Sequence, residues 1–271
     1  VIDAALAALG LPANTARTPG GGGDIHDAWR LKTAEGPVFL KTNARPGARM
    51  FELEAAGLEA LRDADSGLGV PSVLGVGESF LALGWIERGA GGGAELGEGL
   101  ARLHRSTAAT FGGPEDNWIA SLVQPNGEWS SGAEFFGEQR LRAHAEALPW
   151  AMRKRLDALI ARLPELLPHE PPALLHGDLW GGNWMADGWG TPWIFDPAVH
   201  YGCREADLAM TRLFGGFPDS FYDAYQAAWP LAPGWRERIE LWNLSPLLVH
   251  SRLFGGAYVG QVNEVLVRYA G

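Results

Sequence analysis

The chain has 271 residues, 46% of them hydrophobic, enough to bury a sizeable core and unlike a disordered composition. A net charge of −10 with a pI near 5.2 would repel a nucleic-acid backbone overall, and a single cysteine, Cys203, excludes an intramolecular disulfide or a cysteine zinc cluster. No apolar run approaches the ~20 residues of a membrane span, and the opening VIDAALAALG lacks the basic start and long apolar centre of a signal peptide, so a cytoplasmic protein without a membrane partner is expected.

Val1–Leu9 reads as a short amphipathic helix stopped by Gly10 and Pro12. Four glycines, Gly20–Gly23, lead into a strand-like run ending in RLKT; AEGP makes a turn and VFLKT a second strand, giving a hairpin. Ala48–Asp63 is predicted as a helix, with Phe51, Ala55, Leu58 and Leu61 on one apolar face. Short strands follow at Ser72–Val76 and Phe80–Ile86, and then GAGGGAELGEG, which resembles a flexible connector. From Glu95 onward helices dominate: Leu96–Ser106, Ala133–Leu148, Ala151–Leu163, Arg204–Phe214, Ser220–Ala228 and, with breaks, Trp235–Tyr269. Two short hairpin strands, 173–175 and 192–195, interrupt them. The pattern is α+β, with a small β-rich lobe over 1–88, a larger mainly helical lobe over 89–271, and a cleft between them as the expected ligand site.

The chemistry concentrates in LLHGDLWGGNW, Leu174 to Trp184. His176, Asp178, Leu179 and Asn183 fall in register with the kinase catalytic loop H-R-D-L-x-x-x-N, Gly177 replacing the arginine. Thirteen residues past Asn183, WIFDP supplies Asp196. A hydroxyl nucleophile needs a carboxylate to orient it and take its proton, a role that suits Asp178. Mg²⁺ needs hard oxygen ligands, which Asn183 and Asp196 would provide. Turn-forming Asp and Asn beside glycines are the plain alternative, but four elements at this spacing are hard to obtain that way.

Of 22 basic residues only three are lysines, and one of them, Lys41, ends the strand VFLKT. Glu54 lies thirteen residues later on the following helix, as does the lysine–glutamate pair that holds the α/β-phosphates in kinases. Glu52 competes, but residues 52 and 54 point about 200° apart on a helix. Leu58 and Leu61 share the side of Glu54, which favours Glu54. The glycines do not form G-x-G-x-x-G, yet Gly21, Gly22 and Gly23 precede the hairpin where backbone N–H groups would cover phosphates. There is no HExxH, CxxC or GxSxG, so zincin, thiol-redox and hydrolase readings lack support.

With GGGGDIHDAWRL, VFLKTN, MFELEAAGLEAL, FGGPEDNWI, QPNGEW, EFFGEQRL, LLHGDLWGGN and IFDPAVHYGCREADLAMTRLFGGF in place, the chain resembles the fructosamine kinase (ketosamine-3-kinase) family, related to aminoglycoside and choline kinases, nearly end to end. The resemblance implies a protein-kinase-like two-lobed fold. It also implies ATP-dependent, Mg²⁺-assisted phosphorylation of the 3-hydroxyl of a ketosamine, after which the adduct falls apart and frees the amine. Many members carry a cysteine in the glycine loop; here none is near it. Trp85 and Ile86, at the lobe junction, are candidates for adenine. Trp180 is a candidate platform for the sugar, with packing into the helical lobe as its alternative. His176 is expected to orient the loop, and Asp207, opening a helix, to hold it as a buried cap, with a substrate contact as its alternative. Two other readings stay open on the loop spacing alone: a small-molecule kinase of the aminoglycoside or choline type, and an inactive nucleotide-binding module. A monomer acting on a small or protein-linked ketosamine is expected.

Overall fold

The chain is described from a computed structural model covering residues 1–21 and 26–270. Helix α1 (Ile2–Ala8) precedes strands β1 (Arg17–Pro19), β2 (Asp27–Thr33) and β3 (Gly36–Thr42), helix α2 (Met50–Asp63), and strands β4 (Val73–Gly77) and β5 (Phe80–Gly84). The five strands form one antiparallel sheet in the order β1-β2-β3-β5-β4. There follow α3 (Gly93–Leu103), short strands β6 (Phe111–Gly112), β7 (Asn117–Ile119), β8 (Leu122–Gln124) and β9 (Glu128–Trp129), and helices α4 (Gly132–Phe135) and α5 (Trp150–Leu166). Strands β10 (Ala173–Leu175), β11 (Trp184–Ala186), β12 (Pro192–Ile194) and β13 (His200–Gly202) come next, then α6 (Glu205–Leu213), α7 (Asp219–Ala228), α8 (Ile239–Phe254) and α9 (Ala257–Ala270).

Two-residue alternation decides what each face of the sheet meets. In β5, Phe80 and Ala82 pack with Leu31, Leu40 and the Ala5 and Leu6 of α1. Leu81 and Leu83 turn the other way, onto Phe51, Ala55, Leu58 and Leu61 of α2. The same rule in β3 sends Leu40 toward α1 and Lys41 toward α2. The α2 cluster continues into Leu96 and Leu100 of α3, Leu174, Leu179, Leu208 and Phe221. The sheet and the helical half therefore share one contiguous core. A second core joins α5, α6, α8 and α9 through Leu159, Ala209, Leu244, Leu248 and Leu266. Among the described residues no helix is long and apolar enough to cross a membrane.

Three expectations are corrected. The supposed flexible connector is half helix: α3 begins at Gly93. Its glycines serve close packing, because a Cβ on Gly97 would lie 2.1 Å from the Phe221 carbonyl oxygen and one on Gly99 2.3 Å from Leu68. The expected helix 133–148 is broken into α4, a π-helical stretch Phe136–Leu141 and a 3₁₀ turn Arg142–His144. The widened π turn brings Arg140 inward to the carbonyl oxygen of Pro125 at 2.5 Å and Asn126 Oδ1 at 2.6 Å. Finally, the strands at 173–175 and 192–195 do not pair with each other. β10 pairs with β13, and β12 with β11.

The β11–β12 hairpin is joined to the sheet half at Gly69 and to the chain just beyond that half at Gly89. Gly69 donates to the Pro192 carbonyl at 2.8 Å and accepts from Ile194 N–H at 2.9 Å, and Gly89 donates to the Ala186 carbonyl at 2.8 Å. At both sites only glycine fits: an added Cβ would come within 2.3 Å of the Trp193 ring or 2.0 Å of the Asp187 carbonyl oxygen.

Candidate active site

Lys41 is buried at the end of β3, and its Nζ lies 2.8 Å from Glu54 Oε1 and 2.5 Å from Asp196 Oδ1. Glu52 instead meets the exposed Arg49 at 3.0 Å, so of the two glutamates only Glu54 reaches the lysine. Burial opposes the charge on Lys41, but Asp196 and Glu54 together outweigh it and raise its pKa above the usual lysine value. Burial also pushes Glu54 up, to about 7, against the pull of the lysine. For Asp196 the balance reverses: burial would raise it, and Lys41 holds it below the usual carboxylate range. Asp196 takes a left-handed backbone, φ 60°, a conformation Asp tolerates better than most residues, and the chain can then leave β12 with this carboxylate facing Lys41.

The stretch that follows β10 is shaped by Gly177. Its φ is 81° and an added Cβ would sit 2.1 Å from the Ala198 carbonyl oxygen, so the arginine of the kinase loop has no room here. His176 donates from Nε2 to the Phe195 carbonyl oxygen at 3.0 Å, while its Nδ1 accepts from Asp178 N–H at 3.3 Å. Burial lowers its pKa, keeping it neutral, so it orients rather than titrates. Asp207, in the first turn of α6, accepts from His176 N–H at 2.8 Å and Gly177 N–H at 2.9 Å and meets His104 Nε2 at 3.2 Å. Burial would raise Asp207, yet His104 and the backbone donors hold it low. It is a loop anchor within the helix rather than a cap ahead of it.

Asp178 is thereby presented half-buried, and burial pushes its pKa up to about 8, with the charge of Asp196 adding to the push. Asn183 Nδ2 donates to Asp178 O at 2.8 Å, to Asp178 Oδ2 at 3.0 Å and to Asp196 O at 3.3 Å. Asn183 precedes β11 and Asp196 follows β12, so one hairpin delivers both. The arrangement sets a buried lysine between Glu54 and Asp196, with Asn183 bridging Asp196 to Asp178, which suits a polyanion that arrives together with a cation, beside a carboxylate placed to take a proton. Beside Asp178 opens a cavity of about 70 Å³ lined by Gln124, Arg140, His200, Met210 and Trp242, among others.

Of the remaining predicted residues, Trp180 lies in the loop itself, its N–H donating to the Asp178 carbonyl oxygen at 3.1 Å and its carbonyl accepting from Asn183 N–H at 3.0 Å. Trp85 and Ile86, half-buried, directly follow β5 at the junction, with the Arg30 guanidinium 4.7 Å from the Trp85 ring centre. Gly21 is exposed with open space where a Cβ would be, and Gly22 and Gly23 lie outside the described residues. Trp180 is 39% exposed and packs edge-on to Phe214 at 6.2 Å, so it is not a core residue; Trp184 stacks on Phe217 at 5.6 Å. Cys203 is buried in the helical half beside Glu170, and burial pushes its thiol well up.

Sequence reasoning passed over His26 and Arg140. His26 tilts against Phe51 at 5.1 Å and contacts Asn43 Nδ2 at 3.2 Å. Burial and then Lys41 lower its pKa to about 4. Its position directly after GGGGDI was the available signal. Arg140 lies in EFFGEQRL, where one arginine among surface-like neighbours gives no hint of burial.

Among known proteins, the profile of the family "Fructosamine kinase" matches residues 4–270. A relative from Enterococcus faecium named "Probable ketoamine kinase" is 38% identical, covering 92% of this chain and 93% of its own. An Arabidopsis thaliana "Protein-ribulosamine 3-kinase, chloroplastic" is also 38% identical, covering 92% of this chain and 81% of its own. A crystal structure from Thermobifida fusca, 38% identical, superposes with a TM-score of 0.84 over 94% of this chain and 93% of that one. The aminoglycoside phosphotransferase APH(4)-Ia, at 15% identity and a TM-score of 0.62 over 94% of each chain, shares the fold alone, which is protein-kinase-like. A profile matched almost from end to end, and relatives at this identity over nine-tenths of the length, establish that the chain belongs to the fructosamine kinase family.

Proposed function

We propose that this chain transfers the γ-phosphoryl group of ATP to the 3-hydroxyl of a ketosamine, a ribulosamine or fructosamine adduct of an amine, and so initiates release of that amine. The observation that carries the reading is the joining of Lys41, Glu54, Asp196, Asn183 and Asp178 in one network of contacts, of which Asp178 also lines the cavity. Asp178 in its ionised form, which gains as pH rises toward 8, accepts the hydroxyl proton as the sugar oxygen bonds to the γ-phosphorus and the bond to the ADP oxygen breaks. Lys41, held by Glu54, is the cation for the α/β-phosphates, and on ATP binding its contact with Asp196 is shared with them. The backbone at Gly21–Gly23 would cover the phosphates, and Trp85 and Ile86 would flank the adenine.

The donor set fits Mg²⁺. Among the described residues no group of three or more His, Cys, Asp or Glu could enclose a metal, so an ion here must draw further oxygens from the nucleotide and water, as Mg²⁺ does in phosphoryl-transfer sites. The Asn183 amide oxygen and the Asp196 carboxylate are the protein's contribution. When bound, the ion neutralises charge on the β- and γ-phosphate oxygens. We further propose a boundary between nucleotide and substrate lobes at 88/89, action as a monomer, since every group invoked comes from one chain, and a cytoplasmic site of action, where ATP is at hand.

ADP release measured with ribulosyl-lysine, fructosyl-lysine, kanamycin and choline side by side, with and without Mg²⁺, tests the function. The ketosamines should be turned over fastest and only with the metal. Faster turnover of kanamycin or choline would overturn the reading.

A further inference from the structure

Arg140 is 4% exposed, lines the cavity beside Asp178, and forms no salt bridge among the described residues. Its Nη1 donates to the carbonyl oxygens of Pro125 at 2.5 Å and Gln139 at 3.2 Å, and its Nη2 to Asn126 Oδ1 at 2.6 Å. Its Nε is buried and finds no acceptor. Three of the five guanidinium hydrogens are thus used, leaving Nε–H and one on Nη2. Those two nitrogens share the edge of the guanidinium that pairs with both oxygens of one carboxylate or phosphate. The Phe135 ring, 4.4 Å from the guanidinium carbon, supports the cation without neutralising it.

A buried guanidinium lacking a carboxylate partner is costly, and here burial lowers its pKa to about 9 with only Asp116 opposing. The π-helical stretch Phe136–Leu141 that carries it is a local irregularity of the sort often found at functional sites. Beside it His200 donates from Nδ1 to the Ala198 carbonyl oxygen at 3.0 Å, which leaves Nε2 an acceptor. Burial, then Arg140, lowers His200 to about 3, so it stays neutral and adds no second positive charge.

We infer that Arg140 forms a subsite for an anionic oxygen group, carboxylate or phosphate ester, on the ketosamine whose 3-hydroxyl meets Asp178. The inference rests on the kinase reading above and adds to it a preference for acidic ketosamines over neutral ones. Two sources of the anion have the same chemistry: the α-carboxylate of a glycated amino acid and a phosphate on the far end of the sugar.

Two matched substrate pairs separate them. One is α-N-ribulosyl-alanine against its methylamide, and the other is N-butyl-ribulosamine 5-phosphate against the unphosphorylated compound. In the parent protein the anionic member of one pair should have a kcat/KM about 10–100-fold above its neutral partner, the worth of a charge-assisted bidentate contact. That ratio should fall toward one in Arg140→Gln and survive in part in Arg140→Lys. Equal kcat/KM within both pairs of the parent would overturn the inference even if neither variant folds. A ratio preserved in a folded Arg140→Gln would overturn it as well. Phosphorylation of the neutral ketosamines without an acidic preference leaves the proposed function standing and removes only the subsite; failure of all four substrates removes both.

Discussion

Asp207→Asn keeps the volume of a side chain that is 2% exposed and removes its charge and one acceptor oxygen. The carboxylate takes two backbone N–H groups of the catalytic loop, at 2.8 and 2.9 Å, and faces His104 at 3.2 Å. An amide offers one oxygen, so a loop N–H must face an NH₂ group instead. A hydrogen bond to a charged group contributes about 1.5–3 kcal/mol, and a buried donor left unpaired costs a similar amount. A loss of about 3 kcal/mol lowers the melting temperature by roughly 6–12 °C in a chain of this size. Because the folded pKa of Asp207 is held low, its contribution is complete above the unfolded carboxylate value and is lost as pH falls through the folded one. The deficit of the variant should therefore shrink in acid. In the same protein kcat should fall by about 10–100-fold, since displacement of the loop by an ångström misplaces Asp178, while KM for ATP moves little. Thermal melts at pH 7 and at a pH well below the ordinary carboxylate value, with ADP-coupled kinetics at pH 7, measure all of this. An Asp207→Asn protein that melts with the parent at pH 7 and keeps its kcat would refute the reasoning.

Asp178→Asn should lower kcat by about 10²–10⁴-fold yet raise the melting temperature of the nucleotide-free protein. Its folded pKa is raised to about 8, so the ionised carboxylate destabilises the fold, fully above that value and not at all below the unfolded pKa. The gain should thus be larger at pH 8.5 than at pH 4, and a variant less stable at both would contradict the assignment. Lys41→Arg should not rescue Lys41→Ala in ATP turnover, because a planar fork cannot replace an ammonium between Glu54 and Asp196. Glu54→Gln should reduce kcat/KM for ATP more than Glu52→Gln, and the reverse order would reassign the pair. Trp180→Ala should raise KM for the ketosamine several-fold with a melting temperature close to the parent's, since removing about 50 Å² of sugar contact costs on the order of 1 kcal/mol; a collapse in melting temperature would assign Trp180 to packing instead.

Period and spacing made the sheet half readable. The alternation in β3 and β5 and the 3.6-residue face of α2 are enough to bring Lys41 onto the side of Glu54. The loop from His176 to Asn183 was legible for a different reason, since its chemistry tolerates few residue types. Strands of two or three residues, β6 to β13, are too short to carry a period, and so the pairing of β10 with β13 and of β11 with β12 could not be read. The glycines of α3 misled because low helix propensity says nothing of the Phe221 carbonyl that requires them. Arg140 stayed hidden because its burial depends on a π turn, and nothing in EFFGEQRL distinguishes that turn from an α-helix.

The hydrogen bonds joining Gly69 and Gly89 to the β11–β12 hairpin have a mechanical consequence. Any parting of the sheet from the helices must either break that seam or carry the hairpin along. If the hairpin travels, Asn183 and Asp196 at its open end ride with Lys41 as one rigid piece, and the strained junction becomes the contact of Asn183 with Asp178. Amide deuterium uptake distinguishes the two. Slow, matched exchange at Gly69, Gly89 and Ile194 marks a seam that stays closed through turnover, and the shear then falls within the catalytic loop, between the groups that would hold the donor phosphate and the one that would receive the proton.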